Sequence, residues 1–407
     1  MAFERIDIQQ REELRTACGH LFAASFIDDD FLRTLDLPML KKAYRTRAKS
    51  CHPDYNPAQT PQLRQRFFDL HNSYNLLNFH LQSKQRLSAD KPGAGSKIIA
   101  VGGAKGGIGK SVFATNLAVF LAVKGYKTVI VDLDLGGANQ HLYLGQKVIL
   151  KNNINDFLAR RKESLTDVMV KSAYGPLLIG GDSSDFGALH LHFSRKLKLI
   201  KALRKLEADF VIVDLGGDIN ANILDFYLVA DYGIVMTTRE SASYIGAYHF
   251  VKAAILRKLN RLFGPESGPS GQRNGAFENF IRQVTMFGDE SGIRTIADLL
   301  NEVTVRFPRH RSLVAEALAG FNPCLVVNKV PPGYDSGEIV GKLQNVAQKW
   351  LSREFSYLGD ISGQRQIEQS VLDLVPVVAR YPDGDMARQI GLIMGRLLKS
   401  AGYSFAV

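Results

Sequence analysis

The segment Lys97–Ser111, KIIAVGGAKGGIGKS, constrains the fold more than any other part of the chain, because an apolar run stops in a glycine-rich loop that closes on Lys-Ser. Ile98–Val101 reads as a buried strand, and Ser111–Val123, SVFATNLAVFLAV, has the apolar spacing of a helix packed on a sheet. Phosphate oxygens must be met by several backbone N–H groups at once, which needs a loop without β-carbons in the way. Gly106, Gly107 and Gly109, with Ile108 among them, supply such a loop. Lys110 is then placed to reach the β/γ-phosphates and Ser111 to ligate Mg²⁺, while the helix N-terminus at Ser111 and Val112 adds a favourable dipole. The strict G-x-x-x-x-G-K-[ST] spacing is broken only at its first position, Ala104.

At 407 residues the chain exceeds the usual single-domain range, so two domains, or one large domain with an appendage, are expected. No apolar run is long enough to span a bilayer, and the start, MAFERIDIQQREEL, is charged and lacks an apolar signal core, so a cytoplasmic protein is expected. Cys18, Cys51 and Cys324 lie far apart with no CxxC pair, which argues against a disulfide framework, a zinc site or an iron–sulfur cluster. The formal charge of +11 favours acidic partners, and DNA, anionic membrane and acidic protein are all compatible with it. The basic residues fall in short scattered runs of the kind that usually form solvated helix faces.

ADKPGAGSK, Ala89–Lys97, gathers Pro, Gly and Ser between two patterned regions and reads as a linker over 89–97. It separates a helical module at 1–88 from a large α/β domain at 98–407. In the large domain, strand-like runs at Ile98–Val101, Thr128–Leu133, Leu177–Ile179, Phe210–Leu215, Tyr232–Thr237 and Leu325–Val330 alternate with helical patterns, the signature of a mostly parallel sheet with helices on both faces. A loop-rich stretch, Gly264–Gly275, opens a helical insertion at about 260–320, with helical patterns at Phe277–Met286, Ile296–Val303 and Ser312–Ala319.

Three further stations lie at the carboxyl ends of expected strands, where open α/β sheets place their ligands. Val129–Gly145, VIVDLDLGGANQHLYLG, ends a strand in Asp132 and Asp134, whose i, i+2 spacing puts both carboxylates on one side, near a metal and an attacking water. Phe210–Asp218, FVIVDLGGD, delivers Asp214 toward the metal on four apolar residues. Leu325–Val330, LVVNKV, ends in Asn328, whose amide can read an adenine edge.

In this order after the glycine loop, the stations resemble the MinD/ParA family of deviant Walker A P-loop ATPases, whose loop reads KGGxGK[ST], and most of all its FlhG/FleN branch. Val131–Gly145 resembles the family's switch I, including Asp132, Asp134 and Asn139. Met236–Lys252 resembles the strand and helix after switch II, and Leu358–Pro382 the late segment beside the adenine. The resemblance implies ATP or ADP with Mg²⁺ as ligand, slow and partner-regulated hydrolysis, and a homodimer in the ATP state. It makes Lys105 the signature lysine that reaches the partner's nucleotide while Lys110 serves its own, and Asp134 the residue that positions water. It implies Ser111, Asp132 and Asp214 at the metal, and Gly106 to Val112, Gly217 and Asn328 around the nucleotide. The role implied is spatial organisation, such as flagellar number or placement, with ParA-like DNA partition or cargo positioning as the alternative. Three features depart from the family. Switch II reads DLGGD, leaving its backbone contact to phosphate at Gly216 or Gly217; Arg239-Glu240 replaces the usual Pro-Glu; and the insertion has no counterpart.

The N-terminal module carries a second resemblance. Leu40–Asp54, LKKAYRTRAKSCHPD, is a basic helix running into His52-Pro53-Asp54, and Arg66–Leu77 reads as a second amphipathic helix. Together they resemble helices II and III of a J-domain, whose HPD loop contacts a DnaK-type chaperone; the resemblance adds a further alternative, a J-protein co-chaperone with the ATPase as adaptor. At the other end, Met386–Lys399 has the apolar spacing of either an interfacial helix or the last core helix of the α/β fold, and its position directly after the PVVARYP segment favours the core helix.

Overall fold

The computed structural model describes residues 8–22, 27–51, 60, 62–63, 65–67, 69–70, 73–74, 77, 81, 96–134, 137–146, 150–181, 193–264, 275–287 and 292–399. They form two compact units. One comprises Met1–Ala94 with Arg261–Gln283 and Leu300–Leu318; the other comprises Gly95–Asn260 with Val284–Leu299 and Ala319–Val407.

The larger unit is built on a single sheet of eight strands: β1 Lys97–Gly102, β2 Thr128–Leu133, β3 Val170–Lys171, β4 Leu177–Ile179, β5 Phe210–Leu215, β6 Tyr232–Thr238, β7 Cys324–Val330 and β8 Ser356–Ser362. They are ordered β3-β4-β2-β5-β1-β6-β7-β8. Every neighbouring pair is parallel except β3 with β4. Strands β2 and β5 are buried at every position, because VIVDL-type runs present apolar side chains to both faces of a covered parallel sheet. Strand β1 lies between β5 and β6, so the chain leaves β1 toward one side of the sheet and later crosses to the other. That crossing is the topological switch point at which doubly wound folds bind ligands.

The Lys110–Val123 helix packs on β5 and β2, burying Phe113, Leu117 and Leu121. Asn116 in this helix accepts the Val378 N–H at 2.9 Å, tying the late segment to it. The Asp385–Lys399 helix buries Ile390, Ile393, Met394 and Leu397 against β8 and the Lys110–Val123 helix, so it is a core helix. Among the described residues no helix is long and apolar enough to cross a membrane.

In the smaller unit, helices Ile8–Phe22, Asp29–Thr34 and Leu37–Lys49 bury Leu14, Cys18, Leu21 and Leu40 with Phe67, Leu70 and Leu77. The basic helix begins before the expected Leu40, because Asp36 caps the Met39 N–H at 2.7 Å and Pro38 sits in the first turn. It ends at Lys49, ahead of His52-Pro53-Asp54, which lie outside the described residues. Tyr44 stacks on Tyr74 with ring centroids 4.4 Å apart, joining the two expected helices. The insertion contributes Phe277, Phe280, Phe307 and His310, with His310 stacked on Phe277 at 4.1 Å. Arg309 reaches Asp69 at 3.4 Å.

Two stability predictions follow from these local features. Ser352, exposed at the end of the Gly337–Leu351 helix, takes φ 50°, ψ 38°, a left-handed cap at which glycine is preferred. Ser352→Gly is expected to raise stability by ~0.5 kcal/mol, read as a higher denaturant midpoint. His310 has a buried Nδ1 without a hydrogen-bond partner among the described residues, and burial, with Arg309 adding to it, pushes its pKa down from 6.5 to about 4. The folded value lies below the unfolded one, so the neutral ring's contribution is intact above pH 6.5 and is lost as pH falls toward 4. His310→Phe is therefore expected to flatten the fall of the urea midpoint over that interval relative to the parent.

Candidate functional site

The glycine loop runs from the end of β1 into the Lys110–Val123 helix and uses backbone that other residues resist. Gly107 has φ +74° and Gly109 φ +93°, and a Cβ on Gly109 would sit 2.3 Å from Asn328 Nδ2. Ile108 turns inward and is buried, and Val112 packs against the core. Lys110 is also buried, and its Nζ donates to the Lys105 carbonyl at 3.0 Å. Burial lowers its pKa, against the pull of Asp214, Asp134 and Asp218.

Asp132 and Asp214 face each other across the β2–β5 pairing, and each is 1% exposed. Burial pushes both carboxyl pKa values up, and for Asp132 the neighbouring charge of Asp214 pushes it further. Gln140, itself fully buried, holds the pair together. Its backbone N–H donates to Asp132 Oδ2 at 3.0 Å, and its Nε2 donates to Asp214 Oδ2 at 2.8 Å and to the Ser111 carbonyl at 3.0 Å. The Thr115 hydroxyl, 2.6 Å away, donates to Gln140 Oε1. Asp132 Oδ1 accepts the Asp134 N–H at 3.2 Å, so both Asp132 oxygens are engaged by backbone amides. Among the described residues Asp214 Oδ1 is buried with no hydrogen-bond partner, and the Ser111 hydroxyl lies close enough to lower the Asp214 pKa. An orphaned carboxylate oxygen beside a hydroxyl, with a second carboxylate behind it, suits a hard divalent cation.

The Asp134 carboxylate lies against Gly216, where a Cβ would meet its Oδ1 at 3.0 Å. Gly217 lies against the glycine loop, where a Cβ would meet Gly106 N at 3.1 Å. Lys105 projects at the rim with its side chain 43% exposed, and its Nζ is paired with Glu240 Oε2 at 3.0 Å. That hydrogen bond holds the Glu240 carboxyl below the usual range. Asn328 commits one of its two Nδ2 hydrogens to the Ile108 carbonyl at 2.7 Å.

Four contributors were not singled out by the sequence: Gln140, Thr115, Glu240 as the partner of Lys105, and Lys329, whose Nζ donates to the Gly107 carbonyl at 2.8 Å. Gln140 lies eight residues after Asp132, and no periodicity marks it. Lys329 adjoins Asn328 in LVVNKV, and only the backbone bend described below brings it to the loop.

A lysine-closed glycine loop at the switch point and two carboxylates at the ends of adjacent strands define a P-loop NTPase fold. Residues 96–262 match the family profile described as AAA domain. The Antiactivator FleN of Pseudomonas aeruginosa is 31% identical over 170 residues, covering 41% of this chain and 58% of FleN. The Flagellum site-determining protein YlxH of Helicobacter pylori is 31% identical over 159 residues, covering 39% of this chain and 53% of YlxH. The chain thus spans little more than half the length of these curated relatives. Among solved structures, the cell division ATPase MinD of Pyrococcus furiosus aligns with a TM-score of 0.49 at 17% identity, covering 75% of this chain and 99% of that one.

Gly109→Ala is expected to lower stability by ~2 kcal/mol or more, because the new methyl meets the buried Asn328 amide and the backbone is left-handed. Gly106→Ala, whose Cβ would meet nothing within 4 Å, should leave the thermal midpoint close to the parent's.

Proposed function

We propose that this chain is an ATP-binding and hydrolysing dimerisation switch of the MinD/ParA type that serves spatial organisation in the cell, most like FlhG. The observation that carries the reading is the division of labour between two lysines of one loop. Lys110 is folded back into its own loop, whereas Lys105 stands at the exposed rim on a surface ion pair that contributes little net stability and exchanges at low cost. A lysine in that position is available to a second copy's nucleotide. The names Antiactivator FleN and Flagellum site-determining protein YlxH support control of flagellar number or placement as the cellular role.

The residues present fit a magnesium nucleotide. Ser111 and Asp214 would hold Mg²⁺ with Asp132 behind them, and the ion would neutralise phosphate charge when bound. The loop amides and Lys110 bind and orient the phosphates, and Gly217 brings switch II against the same loop. Asp134, facing Gly216 across the switch loops, orients water for attack on the γ-phosphate. Catalysis is positioning and electrostatic stabilisation rather than covalent chemistry, which suits a slow switch whose rate a partner sets.

A second role is supported at the N-terminus. The Leu37–Lys49 helix exposes Lys41, Lys42, Arg45 and Lys49, a basic face suited to an acidic chaperone surface, next to the HPD sequence His52-Pro53-Asp54. On this reading the module docks a DnaK-type chaperone, and failure of the full chain to stimulate such an ATPase, with no effect of His52→Gln, would exclude it.

The lysine assignment is tested by light scattering and nucleotide binding on the full chain. Lys105→Ala is expected to bind MgATP but remain monomeric, and Lys110→Ala to lose nucleotide itself. If Lys105→Ala dimerises and hydrolyses ATP at the parent's rate, the switch mechanism is wrong.

A further inference from the structure

Consecutive side chains on a regular strand point to opposite faces, so two neighbours do not ordinarily reach the same loop. At the carboxyl end of β7 they do. Asn328 Nδ2 donates to the Ile108 carbonyl at 2.7 Å, and Lys329 Nζ donates to the Gly107 carbonyl at 2.8 Å. The backbone is bent to allow it. Pairing of β7 with β8 shifts register between Val327 and Val330, and Lys329 takes φ +57°, a left-handed conformation that side chains disfavour. Gly363 makes room for the bend: a Cβ there would meet Lys329 Cα and C at 3.4 Å, while its N–H donates to the Val330 carbonyl at 2.8 Å. Strained backbone of this kind is retained where the placement of a side chain matters.

A trans peptide unit carries its C=O and N–H on opposite sides. Drawing the Gly107 and Ile108 carbonyls toward the end of β7 therefore turns the N–H groups of Ile108 and Gly109 the other way. Among the described residues no protein acceptor takes either amide. We propose that Asn328 and Lys329 form a carbonyl clamp that presets these loop amides for the phosphates of a nucleoside diphosphate or triphosphate. Lys329 is thus a positioning residue that acts through the backbone. Donors fixed in advance bind an anion more tightly, because no ordering cost is met on binding. Lys329 also lies near enough to Glu240 to help lower its pKa, so the clamp shares a charge network with the ion pair that holds Lys105. The inference rests on the nucleotide-binding reading above.

The test is MgADP binding to the full chain by titration calorimetry, with thermal midpoints measured alongside in the absence of nucleotide. Lys329→Met removes the donor, Lys329→Arg keeps one, and Lys329→Gly removes both the donor and the backbone strain. Lys329→Met and Lys329→Gly are each expected to weaken MgADP about tenfold, as for loss of one charge-assisted hydrogen bond. Lys329→Arg should recover most of the affinity, and Lys329→Gly should unfold no earlier than the parent. The clamp is overturned if Lys329→Met binds MgADP as tightly as the parent. It is equally overturned if the loss in Lys329→Gly follows a lowered thermal midpoint. A parent chain that does not bind MgADP overturns the nucleotide-binding reading, and the clamp with it.

Discussion

Two carboxylates buried side by side are the constraint around which the rest of the site is arranged. Asp132 and Asp214 end adjacent strands in register, and both are almost wholly removed from water. Two like charges there would be too costly without donors aimed at them. Gln140 supplies two of those donors and the Asp134 N–H a third, while Lys110 brings a positive charge. Because Gln140 also bonds Ser111 and Thr115, the same knot joins the end of β2, the end of β5 and the start of the Lys110–Val123 helix. A change in charge at either carboxylate is felt by all three elements at once.

The glycine loop is held from several sides. Lys110 takes the Lys105 carbonyl, Asn328 and Lys329 take those of Ile108 and Gly107, and Gly217 rests against Gly106. Most of the loop's carbonyl bonds thus go to side chains from elsewhere or from the following helix, which leaves amides for a ligand. Lys105 is the exception in that its side chain meets solvent and an exposed carboxylate. An element held on every side but one can transmit a ligand's presence to that side.

The strands were legible because their burial is written in them. TVIVDL at Thr128–Leu133 and FVIVDL at Phe210–Leu215 each carry consecutive apolar residues ahead of the Asp, and the observed β2 and β5 have those bounds. The edge strands were not. SYLGDIS in β8 mixes polar and apolar residues because its burial is uneven, and the two residues of β3 are too few to make a pattern. The insertion's helices were visible as apolar periodicity, but nothing in that periodicity says which residues group with the N-terminal helices. Arg261–Gln283 and Leu300–Leu318 do so, and the Arg309–Asp69 contact spans 240 residues.

By itself the sequence determined the P-loop, its flanking strand and helix, the carboxylates at successive strand ends and the presence of an N-terminal helical region. These are local facts, set by glycine's freedom, by apolar periodicity and by side-chain charge. Only the tertiary structure decided how the carboxylates are tolerated, which carbonyl each amide and ammonium takes, and that Asn328 and Lys329 reach the same loop. Those facts depend on register between strands distant in sequence and on one left-handed residue in a bulge. Neither leaves a periodic mark in the chain, because both arise from how elements meet rather than from what each is made of.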